Sequence, residues 1–232
     1  MDFLYFCKQK GLSAMNKEWS ELNKLIQKQI NSKSNFESGI NNLFILRDKI
    51  FDKLNDLKNT LTYEDFSKMP YMNENGYHNK TIAYSIWHMF RIEDIVAHTI
   101  IKNDEQIFFR DNFKALTNSP IITTANELVK EGIADFSAKL NIEQLYIYAD
   151  AVKNSTNELI KSLSYADLKR KPTEAERQRL IDSKCISENE LAVWLIDYWC
   201  SKDIKGLIKM PFSRHLIMHT EAAVRIAEKL KR

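Results

Sequence analysis

The chain is poor in residues that break helices, with only 5 glycines and 4 prolines among 232 residues. Collagenous and low-complexity classes are excluded on that ground, and the expectation is a mostly helical protein. Cysteine is equally scarce. Cys7, Cys185 and Cys200 form an odd count with no paired spacing, which argues against a disulfide framework and against a cysteine-based zinc site. Long uncharged apolar runs are missing, so no membrane span is expected. Nor does one sign of charge dominate, with 34 basic and 31 acidic side chains and a net charge of +3. That balance offers no broad field for phosphate backbones, and no nucleic-acid partner is expected. The basic clusters Lys169-Arg170-Lys171 and Lys229, Lys231, Arg232 read as solvated ends.

What is present is apolar residues at helical spacing. Hydrophobic residues make up 44% of the chain, enough for a sizeable core. Met1 to Cys7 is apolar but short, and Asp2 stands where a signal peptide carries positive charge. The stretch reads as part of the folded domain, and the protein as cytoplasmic. Cys200, at the end of the apolar stretch from Leu195, reads as a small core residue.

Three- and four-residue steps predict helices over Lys17 to Ile30, Phe36 to about Leu61, Lys80 to about Lys102, Ala125 to about Leu140, and Ile142 to about Leu163. An aromatic helix is expected from Glu188 to about Ile208, after a charged run at Thr173 to Arg179. A last helix should begin near Pro211, a favoured residue in a first turn. Tyr63 to Tyr77, with Pro70, Gly76 and several asparagines, reads as a loop. The simplest architecture is one all-α domain over 1–232. In it an antiparallel four-helix bundle carries extra short helices in its connections. Residues 1–34 form an N-terminal helical extension and 164–210 an inserted segment before the last helix.

Five histidines are distributed over this scaffold. His215 and His219 are four residues apart, about 40° around a helix, so their rings stand one turn apart on one side. Phe212, Ala222, Ala223, Ile226 and Leu230 share that face, while Glu221, Arg225 and Glu228 lie opposite. The pair therefore points inward. His88, in Ser85-Ile86-Trp87-His88-Met89-Phe90, falls beside Ile92, Ile95 and Thr99, away from a polar side made of Arg91, Asp94 and Lys102. His98 falls on that polar side and is expected at the surface. His78 belongs to the Asn-rich loop. Inward imidazoles need partners for their ring nitrogens, and several cannot be charged cheaply in a core. A divalent metal would satisfy three at once and leave a position open, as in catalytic sites. Hydrogen-bonded core histidines would satisfy them as well, and the residues alone leave both readings open.

Thr81-Ile82-Ala83-Tyr84-Ser85-Ile86-Trp87-His88, together with Arg214-His215-Leu216-Ile217-Met218-His219, resembles the DinB-like (YfiT-like) superfamily of metalloenzymes. The resemblance extends from about Asn35 to Arg232. It implies a four-helix bundle holding a divalent transition metal (Zn, Ni or Fe) through His88, His215 and His219. It further implies a small-molecule substrate, with a low-molecular-weight thiol among the candidates, and thiol transfer or hydrolysis as the reaction; such bundles often pair as homodimers. Two features depart from the pattern. The 164–210 segment is long for the family, and Glu221-Ala222-Ala223-Val224 replaces the His-x-Gly-Gln continuation found in many members. The alternative is a non-enzymatic binding or dimerisation module with structural histidines or an inert metal.

Glu93 is the catalytic candidate beside the histidines. It falls among Ile86, Met89, Phe90, Val96 and Ile100 on the inward stripe, where an unpaired carboxylate is costly. A general base, a group behind the metal ligands, or the partner of a buried arginine such as Arg47 are its three readings. Trp194, Tyr198 and Trp199 are spaced to roof a pocket or to fill core.

Overall fold

The computed structural model describes the backbone of residues 3–231 and the side chains of residues 15–231. The expectation for Met1 to Cys7 lies outside the described side chains. The described chain is helical and contains no strand. The first four core helices in chain order are α1 Phe3–Ile30, α2 Phe36–Thr60, α3 Ile82–Asp94, and α7 Ile142–Ser162. Short helices lie between them, α4 Ile107–Arg110, α5 Phe113–Leu116 and α6 Glu131–Lys139. The segment before the last helix folds as α8 Glu174–Asp182, α9 Glu190–Cys200 and α10 Ile204–Lys209, and the chain closes with α11 His215–Leu230.

Local chemistry sets these boundaries. Thr81 caps α3 by accepting a hydrogen bond from the Tyr84 amide at 2.9 Å, satisfying one orphan donor of the first turn. After Asp94 the helix continues as a wider π-helical segment, Ile95–Lys102, and stops at Asn103 in the left-handed conformation that ends many helices. A second π segment, Met210–Arg214, contains Pro211 and leads directly into α11. Thr173 and Glu176 form a reciprocal capping box at the start of α8.

Helices α2, α3, α7 and α11 touch in a closed cycle, α2 on α7, α7 on α3, α3 on α11 and α11 on α2. Helix α1 lies along α2 and reaches α11. Their common core includes Leu43, Ile50, Ile86, Trp87, Leu145, Val152, Ala223 and Ile226. The valine, leucine and isoleucine side chains among them contribute roughly 1.5–3 kcal/mol each when fully buried. No helix among the described residues is long and apolar enough to cross a membrane.

Several expectations need correction. The predicted helix from Ala125 begins only at Glu131, because Ala125 and Lys130 both take positive φ and the chain before α6 runs irregularly. The aromatic helix from Glu188 to Ile208 is two helices, broken at Ser201–Asp203, where Asp203 restarts the chain by capping the Gly206 amide. Tyr63 to Tyr77 holds one 3-10 turn, Glu64–Ser67.

The polar side assigned to α3 is also wrong for two of its three residues. Arg91 and Asp94 are fully buried, and only Lys102 reaches solvent. His98, expected at the surface, is fully buried too. Arg91 donates to the Ile122 carbonyl, to Gln106 and to the Cys185 sulfur. Asp94 accepts the Ile107 and Phe108 amides and the Tyr148 hydroxyl. His98 is held between Asp104 at 2.6 Å and Ser155 at 3.1 Å. Segments distant in sequence cover this face and supply its partners. Arg170 also departs from a solvated end, pairing with Glu176 and donating to the Ile101 carbonyl at 3.1 Å. Cys200 is half-buried, less enclosed than expected, and Cys185 is fully buried.

Candidate metal centre

Helix α3 contributes His88, and the first two turns of α11 contribute His215 and His219. All three side chains are buried. Ring centroids stand 5.0 Å apart for His88 and His215, 4.7 Å for His88 and His219, and 4.6 Å for His215 and His219. One ring nitrogen from each lies within 4.8 Å of the other two. Two nitrogens bound to one zinc-like ion at 2.0–2.1 Å are about 3.4 Å apart in a tetrahedron, so modest ring rotations bring the three onto a single ion.

The hydrogen bonding of the rings fits a metal better than it fits a self-contained core cluster. His88 donates its Nδ1 hydrogen to the Thr124 carbonyl at 2.7 Å, which leaves Nε2 as the bare nitrogen. His215 and His219 each bury an Nδ1 that has no hydrogen-bond partner. An orphaned buried ring nitrogen is costly unless a ligand takes that nitrogen itself. Burial is the main reason that His88 is held down to about 4 and that His215 and His219 lie well below the usual imidazole range. The neighbouring rings push the latter two further in the same direction. All three are neutral at pH 7, the form that ligates metal.

Around the cluster, Tyr84 stacks on His88 at 5.4 Å and Tyr77 meets the edge of His219 at 5.4 Å. A cavity of about 280 Å³ opens on all three histidines. Its far wall is Trp194, Leu195, Tyr198 and Trp199 from α9, with Met210 and Pro211 from the second π segment. The segment 164–210 therefore supplies one wall of the cavity, and the aromatic run at 194–199 does line a pocket.

Glu93 is engaged elsewhere. Arg47 grips both of its carboxylate oxygens, at 3.0 and 2.6 Å, and both side chains are buried. The same guanidinium donates to the carbonyls of Phe212 and Lys153 and to the Asn157 side chain. One clasp thus ties α2, α3, α7 and the segment entering α11. Through Glu93 and Phe212 it sets the phase of the helices that carry His88 and His215. His78 sits apart, bonded to Glu74 and packed on Tyr71.

Two residues of the site have no counterpart in the sequence reading. Thr124 orients His88 through a main-chain oxygen, which any residue type would supply. Asn126 lines the cavity and accepts a hydrogen bond from the Thr124 hydroxyl at 2.7 Å. The spacing predicts helix over its segment, where an asparagine carries no signal. No protein-family model matches the chain, and no curated protein matches it in sequence.

Proposed function

We propose that the protein is a DinB-like metalloenzyme in which α2, α3, α7 and α11 form an antiparallel four-helix bundle. His88, His215 and His219 would hold a divalent transition metal, Zn, Ni or Fe, beside a small-molecule cavity. The carrying observation is the convergence of three buried, neutral imidazoles, two with an unpartnered nitrogen, on one cavity. The cyclic contacts of the four helices support the bundle reading.

When bound, the ion would lower the pKa of a coordinated water or thiol and make a nucleophile near neutral pH. That chemistry suits hydrolysis or transfer to or from a small thiol. The protein's own part is to hold the three ligands neutral and aimed. The Thr124 carbonyl fixes the His88 ring, the Arg47–Glu93 clasp fixes the relative phase of α3 and α11, and the α9 aromatics wall the cavity. The cavity beside the histidines favours this reading over an inert structural metal, which needs no open approach.

Elemental analysis of protein purified without an affinity tag tests the reading. About one transition-metal ion per chain is expected in the wild type and none in His215→Ala. Equal metal content in the two proteins, or none in either after zinc titration, would overturn it.

A further inference from the structure

The side chains around the cavity are as informative as the three histidines. None of them is Asp, Glu, Lys or Arg. Besides the imidazoles, the polar groups are the Asn126 amide, the hydroxyls of Tyr77 and Tyr198, and the indole N–H groups of Trp199 and of Trp194, the latter donating to the Leu191 carbonyl; the remainder is aliphatic side chain, methionine and proline. Away from the histidines, a charged group moved from water against these walls loses its hydration and meets no charged lining side chain. At about 280 Å³, the space lies at the small end of ligand pockets and corresponds to roughly nine waters at about 30 Å³ each.

Asn126 is the one amide in this lining, and its orientation is set. The Thr124 hydroxyl donates to its Oδ1 at 2.7 Å, which leaves the Nδ2 hydrogens as the available donors. The same threonine, through its carbonyl, orients His88. Between them stands Ala125 at a φ of 63°, a left-handed position uncommon for alanine. That turn lets one residue direct both a histidine ring and an amide. A donor fixed in this way beside an apolar wall recognises one acceptor atom.

We propose that the cavity takes a small molecule whose body is uncharged and apolar and which presents one acceptor oxygen, such as an amide or ketone carbonyl, to Asn126 Nδ2. Trp194, Tyr198, Trp199 and Met218 enclose the apolar body, and Asn126 is a substrate-positioning donor. The assignment rests on the metal-site reading for the reaction, but the preference itself comes from the walls. Thiols bearing carboxylates or ammonium groups away from their sulfur are disfavoured where those groups must enter the cavity, because none of the lining side chains is charged.

Three matched probes test this by NMR-monitored titration of the full chain, with and without one equivalent of zinc: benzamide, its 4-sulfonate and its 4-trimethylammonium analogue. Benzamide should bind at least tenfold more tightly than either charged analogue. In Asn126→Leu its affinity should fall at least threefold, whereas toluene, which has no acceptor, should bind as it does to the wild type; unchanged toluene binding also reports an intact cavity. Equal or tighter binding of a charged analogue, no binding of benzamide up to its solubility, or an Asn126→Leu variant that keeps full benzamide affinity would each overturn the proposal. If toluene binding collapses in that variant, Thr124→Val, which releases the amide, takes its place with the same expectation. Zinc titrated alone tests the histidine reading separately, so its failure leaves the benzamide comparison in metal-free protein intact.

Discussion

The His88 imidazole donates from Nδ1 to the main-chain oxygen of Thr124 across 2.7 Å, and this bond is one of a set. On the same helix Trp87 donates to the Thr123 carbonyl and Arg91 to the Ile122 carbonyl. Three side chains of α3 thus bind three consecutive carbonyls of a segment that has no regular structure. The stretch 122–124 has its main-chain acceptors satisfied by side chains instead of by a helix. In return it gives His88 a fixed ring plane and a fixed tautomer.

A division of labour between first ligands and their support follows. Replacing His88, His215 or His219 by alanine should each weaken zinc binding by at least about 100-fold, more than loss of a supporting partner usually costs. Thr124→Ala keeps the carbonyl that His88 uses and should leave zinc affinity within about threefold of wild type. Competition with a chromophoric chelator measures both. Comparable losses in the alanine variant of Thr124 would show that its hydroxyl, not its carbonyl, supports the site.

The Arg47–Glu93 clasp makes a second prediction. Both groups are buried and bidentate, and the arginine also serves two carbonyls. Removing one partner leaves an uncompensated buried charge, so Glu93→Ala should cost about 3–5 kcal/mol in urea denaturation. Replacing both, Arg47→Met with Glu93→Leu, should recover a large part of that loss, because two apolar groups leave no stranded charge. A double variant as unstable as Glu93→Ala would mean that the carbonyl contacts of Arg47 matter more than the ion pair.

Acidification should unfold the metal-free protein, and the sign follows from the direction of the shifts. His88 is pushed from 6.5 to about 4 when folded, mainly by burial; His215 and His219 move the same way. The unfolded chain therefore binds more protons than the folded chain between these values, and stability rises with pH through that window. Taking the chelated protein from pH 7 down to pH 5 should cost about 2 kcal/mol from His88 alone. Thermal melts in EDTA at the two pH values measure it. The loss should be smaller in His88→Asn, which has no imidazole to titrate; an equal loss would assign the acid sensitivity to other groups.

Much of this organisation was legible in the sequence where a single helix carries the information. The extents of α2, α3 with its π continuation, and α7 follow from periodicity to within a residue or two. So do the inward faces of His88, His215 and His219, whereas the pairing of Glu93 with Arg47 is one of three readings the sequence leaves for that acid, selected by the structure. The periodic rule failed where covering segments come from far away in sequence. On α3 and its π continuation, Arg91, Asp94 and His98 share a side that an isolated helix would turn to water. Here Gln106, Asp104, Tyr148, Ser155 and Cys185 converge on it, and no pattern local to α3 announces those partners. The break inside 188–208 was hidden for a related reason. The apolar spacing continues across it, and only the cap formed by Asp203 marks the restart.

His98 is the instructive contrast to the three clustered rings, because it is equally buried and has both nitrogens engaged. Nδ1 pairs with Asp104, whose other oxygen is held by Lys102, and Nε2 meets the Ser155 hydroxyl on α7. A ring satisfied on both sides has no lone pair to offer a metal. Its work is to fasten the π segment and the turn after it onto α7. His98→Leu should therefore cost about 2–3 kcal/mol for the lost hydrogen bonds, one of them to a carboxylate. It should leave zinc affinity within about twofold of wild type, because the binding rings are untouched. His88→Leu should do the reverse, abolishing zinc binding while removing a single hydrogen bond to a carbonyl. Chemical denaturation and zinc titration of the two variants together separate the roles, and a large loss of zinc affinity in His98→Leu would show that the clasp on α7 also positions the metal ligands.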